Sequence, residues 1–286
     1  MKNSILIKVE LFLFAIFLIA PFTFLKPTVM NKTIESTPIE IKAKTQAQVT
    51  ADEKSEKTMK RTVEKPLHNV ELPDFAAIDD IKTKKKKFFN FIKPVVVKQN
   101  KKLLETRAKL NTWIEKVSLE LPLSEQEHQE LNRLAKQYQV NKNASTLTKL
   151  NALLSRVDII PIPLVLVQAA NESAWGTSRF SRIGLNFFGI WCYQQGCGMV
   201  PSGRSTGEIH EVAAFQSLEE AVVRYYKNIN TNNAYNVFRT IRAELRSQEQ
   251  NLNPTVLATG LLPYSERGVD YVIDITNMLR HNQQYF

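Results

Sequence analysis

Glu172 closes an otherwise apolar run, Pro163-Leu-Val-Leu-Val-Gln168-Ala-Ala-Asn171-Glu172-Ser173, and a glutamate in that setting can do acid chemistry. Burial disfavours the charged form of a carboxyl and raises its pKa. A carboxyl still protonated near neutral pH is what a general acid needs to protonate a leaving oxygen. Gln168 lies one helical turn earlier on the same face and can line the same cleft. The other role open to Glu172 is a helix-end salt bridge with Arg179 or Arg182. Cys192 and Cys197, with four residues between them in a glycine-rich stretch, are a second reactive pair. Outside the cytoplasm such a pair reads as a local disulfide; free thiols or a metal site are the alternatives. His210-Glu211-Val212-Ala213-Ala214 lacks the second histidine of a zinc-binding helix, so no metal is expected. No serine, cysteine or lysine nucleophile set stands out, and no cofactor is implied.

The elements that must position these groups are mostly helices. Helical spacing of apolar residues runs over 96–120, and Ser124 with Glu127 is a capping-box signature for a second helix to about Tyr138. A third spans roughly Thr146–Leu154. Two prolines in Asp158–Pro163 force an extended lead-in, and Pro163 is suited to the first turn of a central, buried helix to Ser173. Seven of the nine glycines fall between 176 and 207, which predicts loops and a hairpin, with a strand near Gly198–Arg204 and a return strand at Glu211. Helices resume at Ser217–Ile229, Asn232–Ser247, Pro254–Leu261 and about Ser265–His281. There is no βαβ alternation and no phosphate-binding glycine pattern.

The N-terminal third differs. The chain has 286 residues and a formal charge of +10, and the basic excess sits mainly in the first 100 residues. Lys2 and Lys8 precede an uncharged run, Leu11 to Leu25, which reads as a signal-anchor or a cleaved signal peptide. Lys26 to about Lys87 is rich in Lys, Glu and Thr, and reads as a disordered tether. Its basic knot, Lys82–Lys87, is a solvated charge run or a contact for anionic lipid or wall polymer. Nucleic-acid binding is not expected, because one short basic run lacks interleaved aromatics.

The stretch Leu164–Phe180 with Glu172-Ser-Ala-Trp175-Gly176, then Asn186-Phe-Phe188-Gly-Ile-Trp191-Cys192, resembles the bacterial Bax-type proteins of the glucosaminidase superfamily. Gly196-Cys-Gly198, His210-Glu-Val-Ala, Asn228-Ile-Asn-Thr231 and Tyr264-Ser-Glu-Arg-Gly268 extend the resemblance over about 150–286. It implies a mainly α (α+β), lysozyme-like domain with a small β-hairpin lobe across a glycan cleft. The organisation expected is a leader at 1–25, a tether at 26–95, a helical extension at 96–149 packing on the catalytic domain, and that domain at 150–286. The implied reaction is hydrolysis of the β-1,4 bond after N-acetylglucosamine in peptidoglycan strands, with Glu172 as the acid and Tyr264 near the reaction centre. A second group must activate water or stabilise charge at the sugar carbon. The family often places that carboxylate on the strand entering the hairpin, where this chain has none. Glu208 and Glu211 are the nearest candidates, and the substrate's own N-acetyl oxygen is a third. Trp175, Asn186, Phe188, Trp191 and Tyr193 are expected to join Gln168 as glycan contacts, with core packing the alternative for the aromatics. Two other readings stand beside the hydrolase: a lytic transglycosylase giving anhydro-muramyl ends, and a weakly catalytic glycan-binding scaffold. The expected location faces the cell envelope, anchored in the inner membrane by residues 5–25.

Overall fold

In the computed structural model, residues 64–205 and 207–286 are described. The leader, and the tether up to residue 63, lie outside them. The helices are α1 (Ile81–Ser118), α2 (Glu125–Gln137), α3 (Thr146–Arg156), α4 (Ile162–Glu172), α5 (Arg179–Gly184), α6 (Leu218–Thr231), α7 (Asn236–Ser247), α8 (Pro254–Ala258) and α9 (Val269–His281). Short 3-10 turns at Asn233–Tyr235, Thr259–Tyr264 and Gln283–Tyr285 complete the helical part. The strands are β1 (Trp191–Cys192), β2 (Gly198–Met199) and β3 (Glu211–Ala213). The protein is therefore mainly α with one small sheet.

Side-chain caps start the helices where the sequence signals them. Ser124 and Glu127 form a reciprocal capping box, and the Ser145 and Ser217 hydroxyls accept the amides of Thr148 and Glu220. Helix α4 is buried all round: Leu164, Val165, Leu166, Val167, Ala169 and Ala170 have no exposed surface. It packs against α1, α8 and α9, which makes it the rigid axis on which the site is built.

The tether expectation is corrected from residue 64 onward. Residues 64–80 run along the body: the Leu67 amide donates to the Ile183 carbonyl (2.8 Å), and the His68 ring bonds the Arg182 carbonyl (3.0 Å). Helix α1 then starts at Ile81, not near 96, because the Asp80 carboxylate accepts the Thr83 amide at 2.7 Å. The Lys82–Lys87 knot is its first turns. The lysine run hides an amphipathic pattern whose apolar members, Phe88, Phe89, Ile92 and Val96, come after it and are all buried. Pro94 lacks an amide to donate, and the packing on either side holds the helix through it. Residues 81–149 and 150–286 share one hydrophobic core.

The sheet differs from a simple hairpin. Its order is β1-β3-β2, with Trp191 opposite Val212 and Gly198 opposite Ala213, both pairings antiparallel. Strand β2 stops at Met199, two residues into the expected Gly198–Arg204 strand. Gly198 is required there, since a Cβ would stand 2.0 Å from the Val212 carbonyl oxygen. Cys192 and Cys197 are joined by a disulfide with Cα atoms 6.2 Å apart. Closing so short a loop stabilises by about 2 kcal/mol. A Cys192→Ser/Cys197→Ser chain should lose about that much in urea unfolding, and an unchanged midpoint would show that the rest of the fold already holds the loop.

Candidate active site

Glu172 is the last residue of α4. The chain turns away at once through Ala174, Trp175 and Gly176, all with positive φ (49°, 58° and 79°). Bonds from the Trp175 amide to the Ala170 carbonyl (2.8 Å) and from the Gly176 amide to Ser173 Oγ (2.9 Å) hold this reversal. Gly176 must be glycine, because a Cβ would lie 2.5 Å from the buried Phe75 ring. This terminator gives Glu172 its exit from the core. A Cβ on Gly189 would sit 3.2 Å from Glu172 Oε2, so the bare backbone of Gly189 leaves room for the carboxyl.

The electrostatics favour a proton on that carboxyl. Burial pushes its pKa up from the ordinary range, against weaker opposing effects of the Asn171 amide, the Tyr271 hydroxyl and the Arg267 charge. The C-terminal end of a helix also disfavours negative charge. The salt bridge left open by the sequence is not formed. Arg179 makes a bidentate pair with Glu64 (2.6 and 2.7 Å), and Arg267 pairs with Asp274 (2.6 Å). Among the described residues no cation stands within 4.0 Å of Glu172.

Tyrosines enclose the helix end. The Tyr225 hydroxyl donates to Gln168 Oε1 (2.5 Å), and Gln168 Nε2 donates to the Tyr271 hydroxyl (2.9 Å). With its oxygen so occupied, Tyr271 keeps its own proton to direct at Glu172. Gln168 is fully buried. It is thus not the cleft contact expected, but fixes the tyrosine that faces the carboxyl. Tyr264 stacks on Tyr271 (5.4 Å, 9°), and its hydroxyl donates to the Phe188 carbonyl (2.7 Å), next to Gly189. Burial raises the pKa of Tyr225, Tyr264 and Tyr271 well above the ordinary phenol range, so all three are neutral donors.

Beside Gly189 an open groove of about 630 Å³ runs between the sheet and α6, with Trp191, Tyr193, Arg224, Lys227, Asn228 and Tyr264 among its walls. A second, of about 620 Å³, shares Tyr193, Arg224 and Lys227 and passes under the disulfide loop. Trp191 and Tyr193 are 44% and 72% exposed, as sugar-packing rings must be.

Other expected contacts lie elsewhere. Phe188 is fully buried and stacked on Tyr225 (4.4 Å). Asn186 is buried too, its amide donating to the Ile190 and Ala213 carbonyls (both 2.8 Å), which ties the loop to the sheet. Trp175 packs on Phe88 and Phe89, with Lys85 Nζ 5.2 Å from its ring centre. Glu211 is 3% exposed and accepts the amides of Gly196 (3.0 Å) and Gly198 (2.8 Å), which lower its pKa. It braces the disulfide loop and is not free to act as a base. Glu208 is exposed, 3.4 Å from the His210 ring. No carboxylate lines the first groove among the described residues, Glu172 included; Glu172 borders it only through Gly189, which is one of its walls.

Sequence reasoning passed over Tyr225, Tyr271, Gly189, Arg224 and Lys227. The tyrosines occupy apolar positions of α6 and α9, and a buried hydroxyl needs a partner. That signal was present, but only the fold says that both partners are Gln168.

Residues 147–284 match the family model Glucosaminidase, described as mannosyl-glycoprotein endo-beta-N-acetylglucosaminidase. The chain is 33% identical over 214 residues to Protein bax of Escherichia coli (strain K12), covering 74% of this chain and 75% of the relative. No solved structure matches it.

Proposed function

The chain belongs to the glucosaminidase family, as a Bax-type member, and on that premise we propose that it hydrolyses the β-1,4 bond after N-acetylglucosamine in peptidoglycan, with Glu172 as general acid. The family makes it a peptidoglycan-related glycan hydrolase. The observation that carries the finer reading is the Glu172 carboxyl, desolvated, without a cationic partner, and emerging from a rigid buried helix beside Gly189.

In the proposed step Glu172 gives its proton to the glycosidic oxygen as the bond to the sugar carbon breaks and its electron pair passes to that oxygen. Positive charge at the sugar carbon is then met by water, or first by the substrate's own N-acetyl oxygen. With Glu211 bound to loop amides, the second of these has support in the geometry. The same observation favours a second reading, a lytic transglycosylase, in which a sugar hydroxyl attacks and one glutamate suffices. Tyr264 is a positioning residue in either case, holding the Phe188–Gly189 backbone against the carboxyl.

An envelope-facing location goes with this substrate, and the disulfide suits an oxidising compartment. Among the described residues no helix is long and apolar enough to cross a membrane. The proposed inner-membrane anchor is the leader.

Digesting purified peptidoglycan with the full chain and identifying the new ends by mass spectrometry tests the reading. Reducing N-acetylglucosamine ends are expected; anhydro-muramyl ends would move the enzyme to the transglycosylase class. Tyr264→Phe should lower kcat about tenfold with little change in KM, while losing about 1 kcal/mol of stability for one hydrogen bond. An unchanged kcat would remove Tyr264 from the positioning role.

A further inference from the structure

Helix α6 presents Arg224 and Lys227 three residues apart, on one face. Both side chains are exposed, and both line the two grooves that meet at Tyr193. Arg224 and Lys227 have no carboxylate within 4.0 Å and no side-chain hydrogen bond among the described residues. Glu220, on the wall of the second groove, is engaged by the Gln216 amide (2.9 Å).

Two like charges on one turn repel each other, and unsatisfied cations in a groove attract anions. A neutral chain of N-acetylglucosamine has no group to meet them. A strand whose alternate sugars carry a carboxylate, or a peptide ending in one, does. We propose that Arg224 and Lys227 form a carboxylate-recognising subsite, which makes the groove select acidic, muramyl-type strands over neutral N-acetylglucosamine polymers. The sugar rings lie against Trp191 and Tyr193 while the acid turns towards α6. This inference rests on the groove being the glycan site.

Binding is the direct test, with the full chain carrying Glu172→Gln so that ligand is not consumed. Calorimetry compares three soluble ligands of equal sugar length: a peptide-bearing strand, the same strand freed of peptide but keeping its lactyl carboxylates, and a chitooligosaccharide. At low salt the peptide-bearing strand should bind roughly tenfold tighter than the neutral one, a preference that shrinks as salt screens the charges. Adding Arg224→Gln and Lys227→Gln should bring that ratio close to one, whereas Arg224→Lys with Lys227→Arg should keep it. If the peptide-free strand retains the preference, the lactyl group supplies the acid; if it loses it, the stem peptide does. A ratio unmoved by the double glutamine variant overturns this subsite alone. Absence of binding by any of the three ligands overturns the groove reading and the subsite with it.

Discussion

Glu172→Gln should lower turnover of peptidoglycan strands by about 10³-fold, within the range expected for loss of a general acid. Glutamine keeps the size and polarity of the side chain but has no acidic proton, so binding in the groove should persist while cleavage is lost. The pH profile of the unmodified chain carries the same information. The acid must be protonated, so kcat/KM should fall as pH rises through the Glu172 pKa. Because burial raises that pKa, the alkaline limb should lie above the range of an ordinary carboxyl. Stability gives an independent sign. A carboxyl whose pKa is higher in the folded state binds more protons there than when unfolded. Its contribution therefore weakens as pH rises from the unfolded to the folded pKa, and at neutral pH it opposes folding. Glu172→Gln should accordingly leave the urea midpoint at pH 7 unchanged or higher. A variant that loses activity together with stability would mean that Glu172 holds the fold, and a variant that stays active would exclude it as the acid.

The second large effect is expected at Asp158, which is not among the residues lining the grooves. This carboxylate, 2% exposed, takes a bidentate contact from Arg246 (2.9 and 3.1 Å) and lies 3.5 Å from Arg107 and 3.9 Å from Arg242. Arg242 is itself buried, and desolvation lowers its pKa to about 10, so it remains charged at neutral pH. It also donates to the carbonyls of Ser155 (3.0 Å) and Ile159 (3.1 Å) and to Asn230 (2.8 Å). The cluster clamps the lead-in to α4, reinforced by Asn100, which donates to the Ile160 carbonyl (3.0 Å). Asp158→Asn would leave the buried Arg242 guanidinium, and two partly buried ones, without their anion, which costs about 3–5 kcal/mol. Urea unfolding should show a loss of that size, and residual activity should fall only as far as the folded fraction does. A loss under 1 kcal/mol would mean that the backbone carbonyls alone satisfy the arginines.

Much of the architecture is legible along the chain. Helix α4, its apolar composition and its closing glutamate can be read without any structure, because burial on every side and the cost of a lone carboxyl are local facts. So can the starts of α2 and α6, marked by the pairs Ser124 with Glu127 and Ser217 with Glu220. The part of α1 from 96 onward is legible too, but its first turns, 81–95, are not. Their apolar members follow a lysine run, and composition over a window averaged the two into a tether. Trp175 shows the other kind of failure. Its place beside Glu172 suggested the cleft, yet the left-handed turn through 174–176 rotates the ring onto Phe88 and Phe89.

Which residue could be an acid and which helix carries it depend on neighbours within a few positions, and the glucosaminidase resemblance on short motifs at set distances over 150–286, so all three are legible in the chain. Only the tertiary structure decided what Glu172 faces. Gln168 meets Tyr225 and Tyr271, 57 and 103 residues away, Asp158 meets Arg246 across 88, and Arg179 turns to Glu64, leaving the acid unpaired. Such pairings answer to chain packing, since a buried polar group takes whichever partner the fold brings within reach. Glu211 illustrates the limit: in the chain it is one more hairpin glutamate, and in three dimensions each of its carboxylate oxygens accepts a loop amide.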